Sequence, residues 1–362
     1  MNILEKSAKT LLSPLLQPSQ FDFWAQQFGS SVRWQRCVAR VVGARRMCSD
    51  TYEIELRPNS QWRGFEPGQH ANITAEIKGR RITRSYSLLP VPGKPKRLSI
   101  IVRRERGGLM SNWLCDNASA GTLLELAPAF GDMFYSKKAP QHLLLLGAGS
   151  GLTPLLSHIR HLQSLKWPLR VTLLQWDRQS GRFIAGDELQ AMSDRHNENF
   201  RWVPIATGAC DVSAPLAGRI SAQQLNDVLG HEPVDLAFAC GPRKFIHTAQ
   251  KLMDGRGVSC KTESFEPAKK LSANSNFARS RVKLKKTGRT IEVNNAGSLL
   301  EQLEQQGVAA ASGCRQGVCN SCSCLKISGA TQDSLNGALD SEPHQLVRLC
   351  INQPAGDIEL DL

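Results

Sequence analysis

The sequence predicts a multidomain protein in which an antiparallel β-barrel is followed by an α/β domain with a parallel sheet, and then by a small C-terminal β-domain. Three observations predict this class. Short alternating apolar runs broken by Gly, Pro and Asn fill residues 34–136, strand and helix patterns alternate over 137–267, and four cysteines fall within eleven residues near the end. The 362 residues are enough for about two or three domains.

Composition and charge exclude several classes of protein. The apolar fraction of 41%, with 29 Gly and 18 Pro, is typical of a globular chain, and no run of about 18 apolar residues predicts a membrane span. The N-terminus lacks the apolar core and cleavage site of a signal peptide, so we expect a cytoplasmic protein, with a place at the inner face of the membrane as a second option.

The net charge of +13 falls on residues 1–276 and predicts anionic partners. Phosphate-rich cofactors, nucleic acid and an anionic membrane surface all fit this charge. Because basic–aromatic repeats are absent, we do not expect nucleic acid.

Residues 1–33 predict one or two short helices, since leucines recur at helical spacing and the aromatic-rich sequence FDFWAQQF follows. We expect an extension that packs on the first domain. The alternative is a docking surface for a membrane or a partner, including peripheral membrane association.

The first domain, 34–136, contains many short predicted strands at the spacing of a barrel. Their sequences are CVARVVGARR, TYEIELRP, HANITAEIKG, RSYSLLP and RLSIIVRRE. One helix is predicted near LMSNWLCDNA, directly after two glycines.

The second domain, 137–267, begins with HLLLLGAG, a continuous apolar run of the kind that fills a parallel strand buried on both faces. LTPLLSHIRHLQSL is a predicted helix, and LRVTLLQW, FRWVPIAT and VDLAFACG are further predicted strands. The polar stretch 268–276 reads as a linker. In 277–362 we expect a hairpin, a helix with Ser298 as N-cap, the cysteine loop and a closing strand.

The cysteine loop predicts an iron–sulfur site. Cys314, Cys319 and Cys322 follow the pattern C-x4-C-x2-C and Cys350 comes after a long gap, which is the plant-type [2Fe–2S] spacing. A structural zinc site is the weaker alternative, because only one C-x2-C pair is present. Cys324 is a surplus thiol, which we expect to be a buried neighbour and not a ligand, although by spacing alone it could take the place of Cys322.

Two features of this loop support the prediction. Gly313 and Gly317 let the backbone turn tightly around a small cluster. Arg315, together with neighbouring amides, can offset the negative charge of the cluster.

A glycine loop predicts a nucleotide site in the second domain. Gly147, Gly149 and Gly151 follow a buried strand and precede a helix, where backbone amides and the helix dipole favour a pyrophosphate. A later strand ends in Cys240-Gly241-Pro242, at the edge where α/β sheets bind ligands. A buried core thiol is the alternative interpretation of Cys240.

In the first domain, Arg84-x-Tyr86-Ser87 combines a cation for phosphate, an aromatic that can stack on a ring, and a hydroxyl for a ring nitrogen, which together suit a flavin. Alone, the motif also fits a strand with a surface arginine. Downstream, Gly107, Gly108 and Ser111 precede a helix and form a second candidate anion site.

Together, the R-x-Y-S, G-x-G-x-G-x-x-P and C-G-P motifs, in this order, resemble the ferredoxin–NADP⁺ reductase superfamily. The C-terminal segment resembles a plant-type ferredoxin with the β-grasp fold. Within the superfamily, the stretches RPNSQWRGFEPGQ, TESF and CRQGVCNSCSC are most similar to the reductases that feed membrane fatty-acyl-CoA (stearoyl-CoA) desaturases.

The resemblance implies roles for individual residues. Arg84 would hold the FAD pyrophosphate, Tyr86 would pack on the flavin ring and Ser87 would approach its reactive nitrogen. The remaining implied contacts are amides of Met110 and Ser111 to the FAD phosphates, Gly149, Gly151 and Thr153 at the NAD(P)H site, Cys240 and Gly241 near the nicotinamide, and Phe265 over the flavin. The implied cluster ligands are Cys314, Cys319, Cys322 and Cys350.

The implied function is an NAD(P)H-dependent oxidoreductase that passes electrons through FAD and a [2Fe–2S] cluster to an external acceptor protein, which we expect to be a membrane di-iron fatty-acyl desaturase. A soluble hydroxylase or ring-oxygenating system is the alternative acceptor, and a non-catalytic redox sensor is the alternative class. Asp177 would favour NADH, whereas Arg178 with Arg182 would favour NADPH, which we expect. No catalytic acid–base set is expected.

Overall fold

The computed structural model describes residues 17–135, 139–178, 183–208, 216–265, 279–294 and 297–362. The chain divides into two compact units, Met1–Phe265 and Glu266–Leu362. The predicted linker and the first sixteen residues of the predicted extension lie outside the described residues. None of the described helices combines the length and the apolar character needed to cross a membrane.

The first unit opens with helix α1 (Pro18–Gln27). The buried carboxylate of Asp22 accepts hydrogen bonds from the backbone N–H groups of Trp34 (2.6 Å), Gln35 (3.2 Å) and Arg36 (3.2 Å). Phe21 stacks on Trp34 with ring centroids 4.7 Å apart. These contacts attach α1 to the chain that leads into the first sheet.

The first sheet is antiparallel and has seven strands among the described residues. The strands are β1 (Val38–Cys48), β2 (Thr51–Pro58), β3 (His70–Ile77), β4 (Arg80–Ser87), β5 (Leu89–Pro90), β6 (Leu98–Arg103) and β7 (Leu123–Leu126). Their order is β4-β3-β7-β1-β2-β6-β5, and β4 also contacts β6. The sheet therefore curves back on itself around an apolar core, and helix α2 (Leu109–Asn117) packs against β3, β4 and β6.

The second sheet is parallel throughout. Its strands and helices are β8 (His142–Ala148), α3 (Leu152–Ser164), β9 (Arg170–Asp177), α4 (Gly186–Arg195), β10 (Phe200–Ala206), β11 (Leu216–Ala217), α5 (Ala222–Leu229), β12 (Leu236–Cys240), α6 (Arg243–Asp254) and β13 (Ser259–Glu263). The strand order is β11-β10-β9-β8-β12-β13. The chain thus builds outward from β8 in one direction and then returns to the other side of β8. Such a reversal opens a crevice at the carboxyl ends of the two central strands, here β8 and β12.

Buried ion pairs join the two sheets of the first unit. Arg160 on α3 has a side chain only 3% exposed, and its guanidinium binds Glu53 on β2 and Glu188 on α4. The Nε–Oε1 distance to Glu188 is 2.7 Å. Arg45 on β1 adds a second guanidinium 2.7 Å from Glu53. Since two arginines balance two glutamates, the charges compensate each other at the junction.

The second unit is a mixed sheet with one described helix. Its elements are β14 (Arg279–Leu284), β15 (Thr290–Asn294), α7 (Leu299–Gln305), β16 (Ser323–Asp333), β17 (Leu339–Asp340), β18 (Gln345–Arg348) and β19 (Asn352–Leu360). β14 pairs in parallel with β19, and the other pairs are antiparallel. Ser298 caps α7 as predicted, since its Oγ accepts from the Glu301 N–H at 3.2 Å.

Candidate functional site

The end of β4 meets the start of α3. Ser87 Oγ lies 2.9 Å from Thr153 Oγ1, and both side chains are buried. Thr153 Oγ1 is also 3.0 Å from the carbonyl oxygen of Ser150, to which it can only donate. Ser87 is therefore the donor to Thr153, and the lone pairs of Ser87 Oγ stay available as acceptors. The contact brings the predicted flavin motif to the predicted nucleotide helix.

The glycine loop and the Cys-Gly-Pro turn also meet, at the carboxyl ends of β8 and β12. A Cβ on Gly151 would lie 2.1 Å from the carbonyl oxygen of Cys240, so only glycine fits there. Gly149 has a φ of +57°, in the left-handed region. A Cβ on Gly241 would lie 2.9 Å from the Cβ of Ala148. The two segments thus form one wall of the crevice.

Helix α2 follows Gly107 and Gly108, and helix α3 follows the glycine loop; both helices begin without a capping side chain. The N-cap residues of α2 and α3 are Gly108 and Gly151, and neither helix start receives a side-chain hydrogen bond, whereas α5 and α7 are capped by serines. First-turn amides without such a cap suit a phosphate. The α2 start carries the predicted residues: Met110 is buried, and Ser111 Oγ accepts from the Glu105 N–H at 3.2 Å.

A cleft of about 520 Å³ lies beside the start of α2. Its lining residues are Asp50, Arg104, Glu105, Arg106, Asn112 and Asp116. The buried Oδ1 of Asn112 has no hydrogen-bond partner. An unsatisfied buried oxygen beside a cleft fits a site that is completed by a polar ligand.

β4 holds the other predicted flavin residues. Arg84 and Tyr86 are two residues apart in a strand, so their side chains lie on the same face of the sheet. Both are half-buried, and one guanidinium nitrogen of Arg84 donates to the carbonyl oxygen of Thr83 at 2.7 Å. Burial raises the pKa of Tyr86, so its phenol keeps its proton.

Cys240 lies beside a buried acid that sequence reasoning missed. Cys240 is fully buried, and burial raises the pKa of its thiol, which stays neutral. Glu263, its partner in the register of β12 and β13, has its pKa raised to about 8 by burial and then by the charge of Asp132. His70 Nε2 lies 3.3 Å from Glu263 Oε1, and burial lowers the pKa of His70 to about 4. Phe265 meets the His70 ring edge-on, with centroids 5.5 Å apart.

Two residues that could distinguish NADPH from NADH lie at the end of β9: Asp177 is its last residue and Arg178 follows directly. The carboxylate of Asp177 is buried, with Oδ2 at 3.5 Å from the Arg103 guanidinium, and Oδ1 accepts from the Arg178 N–H at 2.7 Å. The side chain of Arg178 is exposed. Arg182 lies outside the described residues. The acid is therefore turned inward, whereas the adjacent guanidinium faces solvent.

In the second unit the four predicted ligands form two pairs. The Cys314 N–H donates to Cys319 Sγ at 3.2 Å, and the Cys319 N–H donates to Cys314 Sγ at 3.4 Å. Cys322 and Cys350 are both buried, and their thiols are hydrogen-bonded to each other. The hydrogen bond from the Cys314 thiol lowers the pKa of the Cys319 thiol.

The paired arrangement fits two irons that each take two thiolates, with backbone amides directed at the sulfurs. The donor set present in the loop therefore suits a [2Fe–2S] cluster.

The loop around the thiols is held by close packing and by an arginine. Gly317 has a φ of +78°, and a Cβ there would lie 2.6 Å from Ile351 Cδ1. Arg348 donates to the carbonyl oxygen of Gly317 at 2.6 Å. Arg315, predicted to offset cluster charge, instead forms a bidentate pair with Glu304 at 2.6 and 2.8 Å. Its positive charge is thereby largely balanced.

Cys324 lies outside both pairs. It is 6% exposed, and its thiol donates to the carbonyl oxygen of Leu325, 3.7 Å from Sγ. Burial raises the pKa of its thiol. These features agree with the expectation of a buried neighbour.

Three family models match consecutive parts of the chain. They are an oxidoreductase FAD-binding domain over residues 39–135, an oxidoreductase NAD-binding domain over 145–251 and a 2Fe-2S iron-sulfur cluster binding domain over 282–354. The first two match the first unit and the third matches the second unit.

Proteins with similar sequences include reductases. An NADPH oxidoreductase of Mycobacterium tuberculosis is 28% identical over 99% of this chain and 92% of its own length. The glycine betaine monooxygenase reductase subunit of Pseudomonas aeruginosa is 26% identical over 82% of this chain and 87% of its own. Among solved structures, phthalate dioxygenase reductase has a TM-score of 0.59 at 24% identity and covers 90% of this chain and 97% of its own.

The chain is thus an electron-transfer reductase that links NAD(P)H, FAD and a [2Fe–2S] cluster. Its FAD-binding and NAD-binding domains are followed by a 2Fe–2S domain, and its fold is similar to that of phthalate dioxygenase reductase. The predicted fold class, the oxidoreductase activity and the three cofactors are confirmed.

Proposed function

We propose that the residues brought together in each unit hold these cofactors. FAD would bind at the residues from β4, the start of α2 and the end of the first unit: Arg84, Tyr86, Ser87, Met110, Ser111 and Phe265. The nucleotide would bind at Gly149, Gly151, Thr153, Arg178, Cys240 and Gly241, and the cluster at Cys314, Cys319, Cys322 and Cys350. The proposed domain limits remain 34–136, 137–267 and 277–362, after a 1–33 extension.

The observation that carries the proposal for the first unit is the 2.9 Å contact between Ser87 and Thr153. When bound, FAD accepts a hydride from the nicotinamide and releases electrons one at a time to a [2Fe–2S] cluster. Ser87 offers acceptor lone pairs beside the nucleotide helix, and the neutral thiol of Cys240 adds no charge near the nicotinamide. The crevice between β8 and β12 would orient the nucleotide.

We propose NADPH as the preferred donor. A ribose 2′-phosphate is repelled by a carboxylate and attracted by a guanidinium. Asp177 is buried against Arg103, whereas Arg178 is exposed one residue later, and this arrangement supports the proposal.

Initial rates of dye reduction with NADPH and with NADH test the proposed preference for NADPH. We expect kcat/KM to favour NADPH, and Arg178→Ala to lower the preference. A preference for NADH would overturn it.

For the acceptor, we propose a membrane di-iron fatty-acyl desaturase. The support is the resemblance of RPNSQWRGFEPGQ, TESF and CRQGVCNSCSC, with an N-terminal extension, to the reductases of such enzymes. The alternative is the reductase role in an oxygenase system, which is favoured by the similarity to a glycine betaine monooxygenase reductase subunit.

Reconstitution separates the two acceptors. The purified holoprotein is incubated with NADPH, an acyl-CoA and membranes that contain a desaturase, and a new double bond in the acyl chain is measured. The control uses the Cys319→Ser variant with the same membranes. Double-bond formation that needs Cys319 supports the desaturase. The alternative would be favoured if no double bond forms with the membranes but a soluble terminal oxygenase turns over when it replaces them.

A further inference from the structure

The outer side of α1 and the residue that follows the helix carry three exposed aromatic side chains. Phe23, Trp24 and Phe28 are 55%, 56% and 81% exposed. Their rings form a continuous patch, with centroids 5.5 Å apart between Phe23 and Trp24 and 6.5 Å apart between Trp24 and Phe28. We call these three residues the α1 aromatic face. Large exposed aromatic patches on a protein surface mark interaction sites more often than single exposed apolar residues do.

The inner side of α1 fixes the direction of this face. Asp22 is 4% exposed and accepts three backbone hydrogen bonds from residues 34–36, while Phe21 stacks on Trp34. Ala25, one turn after Phe21, is also buried. Because residues 21, 22 and 25 share one side of a helix, these contacts set its rotation and hold the aromatic face toward solvent.

The surroundings of the α1 aromatic face are basic. Residues 17–49 contain five arginines and one acid, the buried Asp22; of the arginines, Arg33 is buried and Arg45 is paired with Glu53, which leaves Arg36, Arg40 and Arg46. Arg40 donates to the carbonyl oxygen of Gly29 at 3.3 Å, directly after α1, and the Arg36 side chain is 53% exposed. Arg36 also lies 3.6 Å from Glu125, which Arg81 binds at 2.6 Å, so two guanidinium groups share one carboxylate and a net positive charge remains there.

We propose that the α1 aromatic face docks on an anionic membrane surface. Trp and Phe at the interface, with Lys and Arg toward the headgroups, are the side chains of helices that lie in the membrane surface. Anionic headgroups attract the nearby arginines. The docking does not depend on which acceptor the reductase serves.

Vesicle sedimentation tests the proposal without nucleotide or acceptor. The holoprotein is mixed with phosphatidylcholine vesicles that contain or lack phosphatidylglycerol. The test variant is Phe23→Ser/Trp24→Ser/Phe28→Ser. The matched control is Leu165→Ser/Leu339→Ser/Leu346→Ser, which removes three apolar side chains that are 52%, 65% and 73% exposed elsewhere. NADPH-driven dye reduction verifies that both variants are folded.

We expect the wild type and the control to sediment with anionic vesicles and not with neutral ones. We expect the test variant to bind roughly tenfold or more weakly, because three interfacial aromatics are lost. Equal binding by the test variant, or no binding by the wild type, would overturn the proposal. A wild-type dimer in gel filtration that the test variant loses would assign the face to a second copy of the chain instead.

Discussion

The hydroxyl oxygens of Ser87 and Thr153 lie 2.9 Å apart and join the last residue of β4 to the first turn of α3. One strand belongs to the antiparallel sheet of the FAD-binding domain and the helix belongs to the parallel sheet of the NAD-binding domain. The FAD-binding and NAD-binding domains are therefore in direct contact at the two segments that we propose to bind the flavin and the nucleotide.

Ser87→Ala is expected to lower kcat for NADPH-driven dye reduction by about tenfold, because it removes the hydroxyl that donates to Thr153 and whose lone pairs we propose to face the flavin. Thr153→Ser keeps the hydroxyl and is expected to stay close to the wild type. Stopped-flow measurement of flavin reduction, with flavin content determined for each variant, checks this. An unchanged rate in Ser87→Ala would remove Ser87 from the proposed site.

Arg160 is expected to be the electrostatic centre of the contact between the two sheets of the first unit. Arg160→Met leaves the carboxylates of Glu53 and Glu188 partly buried without their guanidinium, and we expect it to lower the free energy of unfolding by about 3–5 kcal/mol. Thermal or urea unfolding of the holoprotein measures it.

The matched control is Arg170→Met, whose pair with Glu232 has side chains 52% and 48% exposed. We expect it to cost about 1 kcal/mol or less. Similar losses in Arg160→Met and Arg170→Met would mean that the buried pairs do not stabilise the contact between the sheets.

Glu263 is expected to make the protein less stable as the pH rises. Its pKa is about 8 in the folded chain against an ordinary 4.5, so above pH 4.5 the unfolded chain releases a proton that the folded chain retains. His70, with its pKa lowered from 6.5 to about 4, contributes the opposite slope, which ends near pH 6.5. Of these two groups, only Glu263 therefore changes the free energy of unfolding between pH 6.5 and pH 8.

Unfolding measured at pH 6.5 and at pH 8 tests this. We expect the wild type to lose about 2 kcal/mol more than Glu263→Gln over this interval. His70→Gln should retain the loss. Equal loss in wild type and Glu263→Gln would show that the Glu263 carboxyl titrates near its ordinary range.

Much of this architecture follows from local sequence pattern. The alternating runs that became β1, β2 and β6, the apolar run of β8 and the Ser298 cap were predicted from residue types alone. The cofactors were predicted because glycine, cysteine and R-x-Y-S motifs have fixed spacing. β7, α4, α5, α6 and β13 were not predicted, since short or weakly periodic segments depend on tertiary contacts.

Contacts between residues that are distant in the sequence could not be predicted either. Arg160 lies 107 residues from Glu53, and no local pattern links them. Likewise, nothing in TESF shows that Glu263 is buried beside His70 and Cys240. Arg315 was expected to offset cluster charge, but the loop brings it into a bidentate contact with Glu304, which lies eleven residues earlier in the sequence.

Cys319→Ser is expected to abolish electron delivery beyond the flavin and to leave NADPH-driven dye reduction largely intact, because the cluster site and the flavin site lie in different units. Cys324→Ser is the matched control in the same loop and should keep both activities. Cytochrome c and a dye serve as the two acceptors. Loss of dye reduction in Cys319→Ser would contradict the separation, and loss of the cluster in Cys324→Ser would contradict the ligand assignment.

The measurement that tests the central claim most directly is the cofactor content of the purified protein, followed by anaerobic addition of NADPH. We predict about one flavin, two irons and two acid-labile sulfides per chain, with loss of both the flavin and the iron–sulfur absorbance on reduction. A colourless preparation that holds zinc or no metal, or a flavin that NADPH reduces while the cluster stays oxidised, would contradict the account.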